Sequence, residues 1–185
     1  SASNATATIN GRNTGINHLG SDGVIATGQL SVNNYGLIAS NLANAIENQN
    51  GSGNLTVTNY GTGRIVGQGN AGGTNGYGIY AIGTGTLGLT NAGLIVGRVG
   101  GVLTGSATSI TNSGTIAAGT LSGGTSGTLV AGGGNGIQTV GGTITNQAGG
   151  VIRGSFLGGN GDNTNAITST AATTVNNSGQ ILGVA

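Results

Sequence analysis

Three carboxylates and one imidazole are the only side chains here with acid–base chemistry near neutral pH: Asp22, Glu47, Asp162 and His18. Glycoside cleavage requires two carboxyl groups about 5 to 9.5 Å apart, so a fold would have to gather these scattered acids. No Lys is present to serve as a base and no Cys to serve as a nucleophile. No catalytic residues are expected, and the acids are read as solvated surface charges. Metal chemistry has equally little to work with. Gly158-Gly-Asn-Gly-Asp162-Asn163 resembles a calcium-roll nonapeptide, but that pattern repeats in tandem with Asp at its sixth position. Here Asn163 holds that position and there is one copy. An oxygen cage for calcium also needs several carboxylates. Gly83-Thr-Gly85-Thr-Leu-Gly88 spells a dinucleotide fingerprint without the following helix or the downstream acid that give it meaning. In a chain with 43 Gly the match is chance. So are the Asn-x-Ser/Thr sequons at Asn4, Asn50, Asn54 and Asn176. No metal and no cofactor is expected.

Charge narrows the partners further. Four Arg, no Lys and a net charge of +1 supply no basic stripe for nucleic acid. No apolar run approaches the roughly 20 residues that cross a bilayer, so direct membrane insertion is not expected. The absence of Cys fits a secreted protein that avoids oxidative pairing. The chain opens with Ser and shows no secretory signal, which reads as a processed product or a segment of a longer protein.

The elements that must position these residues are set by a recurring phrase: apolar, skip, apolar, skip, Asn, then Gly. It reads Leu30-Ser-Val32-Asn-Asn34-Tyr-Gly36, Leu55-Thr-Val57-Thr-Asn59-Tyr-Gly61 and Leu87-Gly-Leu89-Thr-Asn91-Ala-Gly93. It returns as Ile110-Thr-Asn112-Ser-Gly114, Ile144-Thr-Asn146-Gln-Ala-Gly149 and Val175-Asn-Asn177-Ser-Gly179. Successive Asn anchors lie 25, 32, 21, 34 and 31 residues apart, the length of one solenoid coil. Alternation within the phrase is the two-residue period of a strand. The apolar residues and the Asn share the inward face, and the Gly supplies a permissive backbone where the chain turns. A second strand follows the corner: Leu37-Ile38, Arg64-Ile65-Val66, Leu94-Ile95-Val96, Thr115-Ile116, Val151-Ile152 and Gln180-Ile181-Leu182. A third follows a Gly-rich stretch, as in Asn44-Ala45-Ile46, Asn135-Gly136-Ile137 and Asn165-Ala166-Ile167, with Gly78-Ile79 and Gly101-Val102 in the same slot.

Three strands per repeat predict an all-β, three-sided parallel β-helix of roughly six to seven coils, each 21–34 residues long. One coil cannot bury its own apolar residues, whereas stacked coils share a core. Residues 1–185 form a single domain, with 1–29 an irregular first coil in which Ile9-Asn10 and Gly15-Ile16 remain of the pattern. Residues 30–183 carry the regular repeats. Insertions are expected at about 68–76, 119–134 and 154–164, and the last residues end on a strand with an open edge. On this frame Asp162 lies roughly 20 Å from Glu47, and only Asp22 falls on a coil next to Glu47. The inward Asn34, Asn59, Asn91, Asn112, Asn146 and Asn177 are expected to bond along the stack as a ladder, because buried amides require partners.

The strings Ile110-Thr-Asn-Ser-Gly-Thr-Ile116 and Val175-Asn-Asn-Ser-Gly-Gln-Ile181 resemble the repeats of secreted β-helical passengers from Gram-negative bacteria, the autotransporter and filamentous-haemagglutinin-like adhesins. The resemblance covers residues 30–183. It implies a right-handed helix, an extracellular or cell-surface location, and an adhesive, aggregative or biofilm role, with host or bacterial surface glycans or proteins as partners. No autotransporter barrel accompanies the repeats.

Two surfaces stand out. Tyr35 and Tyr60 follow the Asn in consecutive coils and offer either a platform for a sugar ring or simple packing of neighbouring rings, the second being favoured. The skipped positions Thr56, Thr58, Thr90, Ser109, Thr111, Thr143, Thr145 and Thr174 form an outward polar lattice. Such a lattice suits lateral or end-to-end stacking of the chain on itself, and it resembles the Thr face of ice-binding solenoids. The leading expectation is a non-enzymatic adhesin shaft; the alternatives are a self-assembling filament or matrix subunit and, less favoured, an ice-binding solenoid.

Overall fold

A computed structural model describes residues 7–11, 16–18, 24–26, 29–48, 52–69, 75–130, 132–155 and 165–183, with the backbone alone for those before 29. Every regular element among them is a strand. Coil 1 holds β1 (Ala7–Gly11), β2 (Ile16–His18) and β3 (Val24–Ala26); coil 2 holds β4 (Leu30–Asn34), β5 (Leu37–Ser40) and β6 (Ile46–Asn48). Coil 3 holds β7 (Leu55–Asn59), β8 (Arg64–Gly67) and β9 (Tyr77–Ala81). Coil 4 holds β10 (Leu87–Asn91), β11 (Leu94–Gly97) and β12 (Gly100–Thr104). Coil 5 runs through β13 (Ala107–Asn112) and β14 (Thr115–Ala118), detours into a hairpin of β15 (Thr120–Leu121) and β16 (Leu129–Val130), and returns in β17 (Asn135–Thr139). Coil 6 holds β18 (Gly141–Asn146), β19 (Val151–Arg153) and β20 (Ile167–Ser169), and coil 7 holds β21 (Thr173–Asn177) and β22 (Gln180–Leu182).

The first strands of the coils form one parallel sheet of seven (sheet A), the second strands another of seven (sheet B), and the third strands one of six (sheet C). The described residues thus form a three-sided parallel β-solenoid, with three strands in each of six coils and two in a seventh. Register does not drift along it. Val32, Val57, Leu89, Ile110, Ile144 and Val175 pair in series on sheet A. Ile38, Ile65, Ile95, Ile116, Ile152 and Ile181 do the same on sheet B. Ile46, Ile79, Val102, Ile137 and Ile167 complete the interior from sheet C. Apart from the exposed Val175, these rows pack into one continuous core, which is the stacking solution to burying apolar faces too small for a single coil. Coil 1 is more regular than its sequence suggests: Ile9 pairs with Val32, while Gly11 rather than Asn10 pairs with Asn34.

Close approach, more than backbone freedom, explains the corner glycines. A Cβ on Gly93 would stand 2.2 Å from the Gly63 carbonyl oxygen, and one on Gly114 would stand 2.1 Å from that of Gly93. Neither residue has a positive φ, and of the expected corner glycines Gly149 alone does. This also moves two assignments. In coils 3 and 6 the corner is two residues longer, and the tight position belongs to Gly63 and Gly150 rather than to Gly61 and Gly149. A Cβ at Gly61 meets nothing, whereas one at Gly63 would lie 2.2 Å from the Asn59 Oδ1. The extra residues form a turn closed by the Gly63 N–H on the Tyr60 carbonyl and the Gly150 N–H on that of Gln147. Gly36 and Gly179 keep the short form, each N–H donating to its own Asn Oδ1 at 3.2 Å.

Sheet B departs most from the expected plan. Ala39, Val66, Val96 and Ala117 alternate with the inward isoleucines and so lie on its outer face, yet all are fully buried. They form a second apolar cluster with Leu121 of the hairpin, and Leu37, Leu94 and Leu129 pack against it. The insertion at residues 119–134 is therefore seated on the rod through Leu121 and Leu129, while most of its described tip residues are exposed. It folds back over coils 3 and 4, and Arg64 Nε donates to the Thr125 carbonyl at 3.1 Å. Gln68 Nε2 donates to the Gly124 carbonyl beside it. The signal was present in Leu94-Ile95-Val96: three apolar residues in succession mean a strand buried on both faces.

Candidate functional site

The acids come first, since they decide whether there is chemistry. Glu47, expected at the surface, is 2% exposed. It lies in β6 opposite Tyr80, and Asn44 Nδ2 donates to its Oε2 at 2.7 Å. Burial, and secondarily the Glu47 carboxylate, holds the Tyr80 phenol above its ordinary pKa. Burial followed by the neighbouring Tyr80 does the same for Tyr77. Asp22 and Asp162 lie outside the described residues, as does the calcium-like loop; so does the side chain of His18. Among the described residues no three His, Cys, Asp or Glu side chains gather into a potential metal site.

The A–B corner carries the most ordered polar structure. Asn34, Asn59, Asn91, Asn112 and Asn146 are buried, and each donates from Nδ2 to the Oδ1 of the next Asn at 2.7–2.8 Å, ending on Asn177. The same nitrogen reaches the carbonyl of its own corner glycine, as Asn91 does to Gly93 at 3.2 Å. It also reaches a carbonyl of the next coil, as Asn91 does to Thr115 at 3.2 Å. The amide is suited to this because it has two N–H donors and two acceptor lone pairs. A second inward polar row lies at the C–A corner, where sequence reading found none. Thr104 Oγ1 bonds both the Ser106 carbonyl at 3.0 Å and Thr139 Oγ1 at 3.1 Å. Asn44, which the sequence placed without a role, accepts the Gly76 and Tyr77 N–H groups of the coil above at 3.0 and 2.9 Å.

The tyrosines pack on each other. The Tyr35 and Tyr60 rings stack with centroids 3.8 Å apart and planes within 7°. One face of each ring is thus closed against the other, while Tyr35 stays 37% exposed and Tyr60 is half-buried. Tyr77 and Tyr80 lie together on sheet C, with centroids 5.5 Å apart.

The outer face of sheet A is open along its described length. Ser31, Thr56, Gly88, Ser109, Thr143 and Thr174 form one row, and Asn33, Thr58, Thr90, Thr111, Thr145 and Asn176 the other. Four consecutive threonines, from Thr58 to Thr145, make the second row the more regular. None of these residues is charged, and all are exposed or half-exposed. Comparison with protein-family models, curated proteins and solved structures returned no match.

Proposed function

We propose that this chain is a non-enzymatic extracellular shaft of the kind that carries bacterial surface adhesins, presenting its faces to glycans or proteins of host or neighbouring cells. One observation carries the reading: three sheets keep unbroken register through the rod, with inward positions given to the apolar rows and the two polar rows. A rod so built supplies reach and rigidity, and its lattice of uncharged hydroxyls and amides suits many weak contacts acting together. Electron microscopy and cell-retention assays on the purified chain test it. Short rods that hold cells above a heat-unfolded control agree with the reading; endless fibres without retention overturn it.

A further inference from the structure

The hairpin over sheet B is built to be held, yet its attachment is slight. β15 and β16 pair only with each other, in a two-stranded sheet separate from the three long ones. An isolated hairpin of this size is marginal in water. Its seat is the strip of Ala39, Val66, Val96 and Ala117, into which Leu121 is buried. Its tip is held by Arg64 and Gln68, which lie 61 and 56 residues back along the chain. Both roots turn on glycines in the left-handed region, Gly119 at φ +143° and Gly134 at φ +120°.

The closed arrangement also has a cost built into it. One terminal guanidinium nitrogen of Arg64 is buried beneath the tip with no hydrogen-bond partner among the described residues. A buried donor without an acceptor opposes closure, because water would satisfy it on opening. One buried leucine, two side-chain bonds at the tip, glycine roots and one unpartnered guanidinium nitrogen describe a cover that can lift. Lifting exposes the strip, and an identical copy carries an identical hairpin to fill it.

We propose that residues 119–134 form a displaceable clasp, and that the strip on sheet B is a docking site for the same hairpin from a second copy. Exchange would join two rods side by side through sheet B with the contacts already seen within one chain, the low-cost route of domain swapping. It is independent of any adhesive role.

Two variants separate donor from acceptor. In the acceptor, residues 120–130 are replaced by Gly-Gly, leaving the strip open and no hairpin to give. In the donor, Val96→Asp spoils the strip and frees the hairpin. Each alone should be monomeric by size-exclusion chromatography with light scattering, and their mixture should give a 1:1 complex. Two variants folded by circular dichroism that give no complex would overturn the proposal. Should Val96→Asp not fold, the chain carrying Gln68→Cys and Thr125→Cys gives the same reading with a short bis-maleimide. Covalent dimers that increase with protein concentration support exchange, and purely intramolecular products at every concentration refute it.

Discussion

The two inward polar rows of this solenoid do the same job with different chemistry. At the A–B corner the asparagine ladder runs without interruption from Asn34 to Asn177. At the C–A corner the row reads Asn48, Ala81, Thr104, Thr139 and Ser169, and it is broken at Ala81. Below the break, Asn48 Oδ1 is buried with no hydrogen-bond partner. An amide has two hydrogens, so it can satisfy its own corner carbonyl and the next rung together. A hydroxyl has one and must share it, as Thr104 does between Ser106 and Thr139. A continuous ladder therefore calls for asparagine, whereas a hydroxyl row tolerates gaps because each rung depends less on the next.

Several substitutions would break or sharpen this contrast. Ile116, fully buried on sheet B, supports the core that both corners frame. Ile116→Asp is expected to erase the comparison by unfolding the rod, with a loss of about 4 kcal/mol or more in denaturant titration. Asn91→Leu attacks the continuous ladder in mid-stack, leaving Asn59 Nδ2 and Asn112 Oδ1 without their amide partners. A loss of about 2–3 kcal/mol is expected, because the buried Asn112 Oδ1 loses its donor while Asn59 Nδ2 keeps only the Gly63 and Leu94 carbonyls. Thr104→Val cuts the weaker row and should cost about 1 kcal/mol by the same measurement. If its cost equals that of Asn91→Leu, the distinction between amide and hydroxyl rungs is wrong.

Ala81→Ser reverses the sign. It places a hydroxyl between Asn48 Oδ1 and Thr104, and a gain of about 0.5–1 kcal/mol in unfolding free energy is expected. The smallest effect lies in alkaline pH. Tyr77 and Tyr80 share the strand that ends on Ala81, and both phenols are held above their ordinary pKa in the fold. Their contribution is present below the unfolded-state pKa of about 10 and is lost as pH rises through the higher folded value. Tyr77→Phe should flatten the fall in melting temperature above pH ~10; an unchanged slope would remove Tyr77 from that account.

Much of the frame was legible in the residues. The two-residue period of Leu55-Thr-Val57-Thr-Asn59 and the spacing of the Asn anchors led to three parallel sheets in constant register. The positions of Gly63 and Gly150 were not legible in the same way. A glycine near a corner looks alike whether it serves the turn or admits a neighbouring carbonyl, and only the stacked coil beside it distinguishes the two. The burial of Glu47 was missed for a related reason. A charged residue at an outward position of a strand reads as solvated unless something covers the sheet.

The sequence by itself determined what repeats: the strand period, the inward isoleucine, valine and asparagine rows, and the length of each coil. These are local, because a strand's alternation and a corner's residue types follow from neighbours a few positions away. Tertiary structure alone decided what covers what. The hairpin of residues 119–134 seats two coils back, where the outer faces of Val66 and Val96 need burial. That choice rests on contacts some 60 residues apart in the chain, and no local pattern encodes which coil a long insertion will reach.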